Sequence, residues 1–214
     1  SKIFIYGIVI VGMSLGACNA PNKEDALFEL MGNTGIDFNN KVLDNDSINI
    51  LNYRNFYNGG GVAIGDINND GLPDVFFTAN QGANKLYLNK GAFKFQDISA
   101  QAGFVDKPQF STGVVMVDVN NDGWLDLYIS NAGSMGNEAN RANQLFINNH
   151  DLTFTEKAAD YGLADTGYTT QSTFFDYDMD GDLDCFLINN SPIPVNSLGY
   201  PKQRDILSKD WKVP

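Results

Sequence analysis

The 214-residue chain has a single histidine, two cysteines, and 14 lysines and arginines against 26 acidic residues. Each scarcity excludes something. So few basic residues against this acidic excess argue against a nucleic-acid backbone as partner. The lone His150, between Asn149 and Asp151, reads as a surface residue of a turn, not a catalytic base. There is no nucleophile elbow, HExxH pair or phosphate-binding loop. The apolar run from Ile3 to Val11 is shorter than the roughly 20 residues of a membrane span. No amphipathic helical pattern is sustained through the body of the chain.

What the chain has instead is repetition. Asp66 to Asp74 (DINNDGLPD) recurs as Asp118 to Asp126 (DVNNDGWLD) and as Asp176 to Asp184 (DYDMDGDLD). Oxygen-bearing side chains fall at positions 1, 3, 5 and 9: Asp66, Asn68, Asp70 and Asp74; Asp118, Asn120, Asp122 and Asp126; Asp176, Asp178, Asp180 and Asp184. A calcium ion takes six to eight oxygens at about 2.3–2.6 Å, and alternate residues of a tight loop can converge on it. The carbonyl of position 7, which is Leu72, Trp124 or Asp182, completes the set. Position 6 is always glycine (Gly71, Gly123, Gly181), as a sharp turn with positive φ requires. An EF-hand is excluded, because position 12 is Phe77, Ile129 or Leu187 in place of glutamate. The expected cofactor is therefore Ca2+, about three ions, with no catalytic residue and no enzymatic activity. Paired carboxylates can hydrolyse glycosides, yet every close cluster already has metal spacing.

The formal charge of −12 has the same origin: the loops hold 11 aspartates, and without them the chain would stand near −1. Two unit charges 4 Å apart repel by about 4 kcal/mol even at an effective dielectric of 20, so an empty loop should be strained or mobile. With 43% hydrophobic residues there is enough apolar material for a core.

Residues 1–18, with Lys2, the apolar run and Leu15, Gly16, Ala17 and Cys18, have the form of an export signal. Its end resembles the lipobox of bacterial lipoproteins, which implies lipidation at Cys18; an ordinary secretory peptide is the alternative. Residues 19–26 form a polar tether, weakly similar to the acidic export signal of surface lipoproteins in Bacteroidota. Leu27, Phe28 and Leu30, followed by Thr34 to Phe38, echo the outer strand of the later repeats, and Lys41 to Tyr57 reads as a connecting segment. Cys185, aligned with Val75 and Leu127, reads as a small buried apolar residue.

Each loop is flanked by short β-branched and aromatic runs: GVAIG and VFFTAN, GVVMV and LYISN, TFF and CFLIN. Further strands follow at Lys85–Asn89 and Phe93–Ile98, then at Gln144–Asn148 and Thr153–Glu156. Runs apolar on nearly every residue fit burial on both faces. Successive loops start 52 and 58 residues apart, enough for four strands per unit, and the difference lies in an insertion within Asn131 to Asn143. The expected fold is all-β, a β-propeller of four-stranded blades. Its repeats lie around 59–103, 111–162 and 170–214 within a partial propeller spanning 27–214. The third repeat passes through Pro192, Pro194 and Pro201 without its later strands, which reads as a fragment of a larger propeller.

The succession GVAIGDINNDGLPD, NKLYLNKGAFKFQDI, TGVVMVDVNNDGWLD resembles the FG-GAP or VCBS repeat, and most closely the secreted and lipoprotein members related to cartilage acidic protein. The resemblance implies a calcium-binding propeller related in architecture to the integrin α-subunit head, with calcium ligands at the loop residues named above. Longer relatives often carry an ASPIC/UnbV domain, which nothing in this sequence matches. The implied role is an extracytoplasmic binding or adhesion scaffold for an unidentified protein or glycan, anchored through Cys18 to a bacterial membrane, outer membrane or cell surface. Two alternatives stand beside it: a structural or secretion-associated module without its own ligand, and a non-catalytic part of a larger glycan-active enzyme. Because loop and insertion sit at opposite ends of the second strand, calcium and partner are expected on opposite faces.

Overall fold

Short apolar runs separated by glycine and asparagine turns pair with their nearest neighbours in sequence, and this chain folds as a series of antiparallel meanders. The computed structural model describes residues 27–46, 48–104, 109–133 and 138–190. The export signal with Cys18, the tether and residues 191–214 lie outside them. The chain divides into two units, Ser1–Gly32 and Asn33–Pro214. In the first, the described residues 27–32 form no strand, and Leu27, Phe28 and Leu30 are exposed, so the expected outer strand is not formed there.

In the second unit, strands β1 (Val62–Gly65), β2 (Asp74–Phe77), β3 (Lys85–Asn89) and β4 (Phe95–Asp97) form one four-stranded sheet in sequence order. Strands β5 (Phe110–Val117), β6 (Asp126–Ala132), β7 (Gln144–Asn148) and β8 (Phe154–Glu156) form a second, and β9 (Thr169–Phe175) pairs with β10 (Asp184–Asn189). These are propeller blades, two complete and one represented by its first two strands. A one-turn helix, α1 (Ser99–Ala102), follows β4 and is closed by Gly103 in the left-handed region.

Blade faces pack in series, which explains why the strands are apolar at successive positions. Phe76, Leu86 and Leu88 of the first blade meet Phe104, Val114, Leu127, Ile129 and Phe146. Tyr128 and Leu145 point the other way in the second blade and pack with Phe174 and Leu187 of the third. Each fully buried side chain of this size contributes about 1.5–3 kcal/mol. Phe186, which occupies the position of Tyr128 one repeat later, is 59% exposed, and Ile188 beside it is 50% exposed. Cys185 faces inward but is only half-buried, and burial pushes its thiol up to about 11. The innermost strands approach closely: a Cβ added to Gly113 would lie 2.7 Å from the Thr170 carbonyl oxygen.

Residues 41–57 are more than a connector. Tyr53 and Phe56 are buried against Phe110, Ala132 and Tyr168, at the ends of β5, β6 and β9 away from the Asp-rich loops. Residues 34–38 lie against the first blade. Thr34 accepts the Phe95 amide (2.8 Å), Asp37 accepts the Tyr87 hydroxyl (2.7 Å), and Phe38 stacks on Phe77 at 4.8 Å.

The insertion after β6 is partly framework. Asn131 and Asn143 are buried, with the Asn143 side chain accepting the Asn131 amide (2.8 Å) and donating to Thr169 Oγ1 (3.0 Å). Arg141, in a short 3-10 turn (Glu138–Arg141), is buried with its guanidinium 4.5 Å over the Tyr168 ring. Removing all of 131–143 would therefore disrupt the blade itself.

Candidate metal centres

The three Asp-rich loops close the β1–β2, β5–β6 and β9–β10 hairpins with one set of hydrogen bonds. The first aspartate accepts the amides of positions 5 and 6: Asp70 and Gly71 to Asp66 (3.1 and 2.7 Å), Asp122 and Gly123 to Asp118 (3.0 and 2.8 Å), Asp180 and Gly181 to Asp176 (3.1 Å each). The amide of position 7 donates to position 5 in each loop, at 2.8, 2.8 and 2.9 Å. Gly71, Gly123 and Gly181 have φ of +83°, +85° and +96°. Position 4 is left-handed as well, at Asn69 (57°), Asn121 (57°) and Met179 (61°). Asparagine tolerates this conformation, which costs most other residues roughly 1–2 kcal/mol.

The ninth position does more than its spacing shows. Asp74 and Asp126 are fully buried, and each accepts two amides. One comes from position 2 of its own loop (Ile67, 3.0 Å; Val119, 3.1 Å), the other from the last residue of the third strand (Asn89, 2.7 Å; Asn148, 2.8 Å). These carboxylates fasten loop to blade. Asp184 accepts the Tyr177 amide (2.9 Å) but is exposed, since the described residues of this blade include no third strand. An asparagine ends both KLYLN and QLFIN, yet nothing in the loop spacing points to Asn89 and Asn148 as donors to these carboxylates.

Burial pushes the carboxyls of Asp74 and Asp126 above their ordinary value; the amides they accept oppose this, and the neighbouring loop aspartates add to it. A raised value in the fold means that, without metal, their contribution to stability is full below the unfolded value and is lost as pH rises through the folded one. A cation that binds the carboxylate reverses that trend. The affinity of any cation held by these carboxylates is thus expected to weaken on acidification at a higher pH than the ordinary 3.8 of an aspartate would give. Titrations across a pH series check this, and a midpoint at or below the ordinary value would contradict it.

Position 3 of the first loop offers a free acceptor. Asn68 Nδ2 donates to Asp70 (2.9 Å), while Asn68 Oδ1 is buried with no hydrogen-bond partner. A buried carbonyl oxygen left unpaired costs about 1–3 kcal/mol, and a cation would satisfy it. Asn120 Nδ2 donates to Asp122 in the same way (2.9 Å), but Asn120 Oδ1 accepts the Asp122 amide (3.2 Å). In the third loop position 3 is Asp178, and oxygens of Asp176, Asp178 and Asp184 lie within 4.8 Å of one another. Ion pairs of lysine and arginine among the described residues lie elsewhere, at Lys85–Asp97, Arg141–Glu138 and Lys157–Asp160. The residues present fit a hard cation bound through oxygen.

His150 is not simply a surface residue of a turn. Its Nε2 lies 3.0 Å from Asp122 Oδ2, and its ring stacks on Trp124 with centroids 4.6 Å apart, so the third-strand turn is packed onto the second loop.

Residues 66–129 match the family model described as FG-GAP-like repeat. The chain is 40% identical over 78 residues to cartilage acidic protein 1 of Xenopus tropicalis, covering 36% of this chain and 12% of the relative. It is 31% identical over 138 residues to cartilage acidic protein 1 of Mus musculus, covering 60% and 20%. The Homo sapiens protein of the same name is 38% identical over 76 residues, covering 35% and 12%. The matches span at most about a fifth of these relatives' length.

Proposed function

We propose that this chain of FG-GAP-like repeats is a calcium-stabilised propeller module of an exported protein, each Asp-rich loop holding one Ca2+ and the opposite face taking a protein or glycan partner. The observation that carries the metal reading is the unpaired, buried Asn68 Oδ1 inside a loop whose hydrogen-bond pattern recurs in the other two. The side chains of positions 1, 3, 5 and 9 and the carbonyl of position 7 would hold the ion. Bound, it supplies charge neutralisation and fixes the hairpin. The chain's own part is to pre-form the loop, with glycine at position 6 and the first aspartate capping two amides.

Topology supports a partner face opposite the Asp-rich loops. In the second blade the loop of residues 118–126 precedes β6 and the insertion follows it, so the two lie at opposite ends of that strand. The exposed Leu51 belongs to the packed 41–57 segment at the same end as the insertion. Export, with lipid anchoring at Cys18, accords with stabilisation by calcium in place of disulfides. The module is read as a scaffold without catalytic activity.

Substitution tests the metal reading directly. Asp66→Ala, Asp118→Ala and Asp176→Ala should each remove one equivalent of bound calcium, measured by calorimetry, with strand content in circular dichroism unchanged in saturating calcium. Three variants that all keep the wild-type stoichiometry would overturn the assignment.

A further inference from the structure

The first two loops are joined by hydrogen bonds that cross from one blade to the next. Asn148 ends β7, in the second blade, and is buried. Its amide donates to Asp126 of the second loop (2.8 Å), and its Nδ2 donates both to the Leu125 carbonyl of that loop (3.1 Å) and to the Ile67 carbonyl of the first (2.8 Å). Ile67 in turn donates its amide to Asp74, the ninth residue of the first loop (3.0 Å). The path Asp74, Ile67, Asn148, Asp126 therefore runs unbroken between the two ninth-position carboxylates. A second link is exposed: Asn69 Nδ2 donates to the Gly123 carbonyl (3.1 Å). Asn89, the counterpart of Asn148 in the first blade, donates its Nδ2 to Pro73 of its own blade (2.8 Å).

We infer that Asn148 couples the two loops, so that calcium in either raises the affinity of the other. The inference rests on the calcium reading and adds to it a regulation of the sites by one another. The ion fixes the carboxylate and backbone of the loop it enters. Because Asn148 holds the second residue of one loop and the eighth and ninth of the other, ordering one loop positions donors for its neighbour. Asn148 is a positioning residue, outside both ligand sets. Coupling between linked sites is reciprocal and commonly amounts to about 5–150-fold in affinity.

Trp124, the seventh residue of the second loop, makes the test specific, because the chain's other tryptophan is Trp211. In the 214-residue chain carrying Trp211→Phe, the calcium midpoint of Trp124 fluorescence reports the second loop. Emptying the first loop with Asp70→Ala should move that midpoint to about tenfold higher calcium. In an Asn148→Ala background the same substitution should move it by less than about twofold, the signature of a broken coupling in a double-mutant cycle. A control with Asn89→Ala should leave the coupling intact. An Asp70→Ala midpoint equal to the parent's overturns the inference even if Asn148→Ala fails to fold, and a tenfold shift that survives Asn148→Ala overturns the route through that residue. Failure of the calcium reading itself is distinct: folded parent protein would then show no calcium response in fluorescence or calorimetry.

Discussion

Chelating calcium with EGTA is expected to lower the melting temperature of this chain by about 15–30 °C. A ligand that binds only the folded state at 100 times its dissociation constant stabilises it by about 2.7 kcal/mol, so three filled loops supply roughly 8 kcal/mol. Domains are stable by only about 5–15 kcal/mol in all, and one kcal/mol corresponds to about 2–4 °C at this size. The metal-free loops are also less stable in their own right: carboxylate oxygens of Asp176, Asp178 and Asp184 share a space of 4.8 Å, and Asn68 Oδ1 is buried without a partner. Differential scanning fluorimetry in excess calcium and in EGTA reads the difference. Coincident melting curves would mean that the loops contribute as turns alone.

Phe76→Ala should cost about 3–5 kcal/mol in saturating calcium, close to the most a single core truncation does. Phe76 is fully buried between the first and second blades, edge-on to Phe104 at a centroid distance of 4.9 Å. Phe186→Ala, at an aromatic site of the third blade that is 59% exposed, should stay within about 0.5 kcal/mol. Urea denaturation of the two variants side by side measures both. Equal losses would show that the outer face of the third blade is packed as tightly as the interface between the first two.

The hairpins were legible because two local signals coincide in them, glycine at a left-handed position and oxygen donors on alternate residues. The strands were legible from their apolar runs, and Lys85–Asn89 and Gln144–Asn148 fall where they were expected. The inner strands run longer: β5 begins at Phe110 and β9 at Thr169, through polar residues that pack backbone against backbone near Gly113 and so show no apolar pattern. The burial of Tyr53 and Phe56 was hidden in an asparagine-rich stretch without periodicity, because the partners Phe110 and Tyr168 are far off in sequence. For the same reason the spacing gave the candidate ligands but not their support. Asn89 and Asn148 reach the loops only once β3 and β7 pair with their neighbours, and His150 meets Trp124 only across a finished blade.

The most direct measurement is a calorimetric calcium titration of residues 19–214, with strand content followed by circular dichroism in the same samples. The loops predict about three equivalents of Ca2+ bound by a folded chain. A chain that is demonstrably folded and binds none would contradict the metal reading and return the three loops to the role of surface turns.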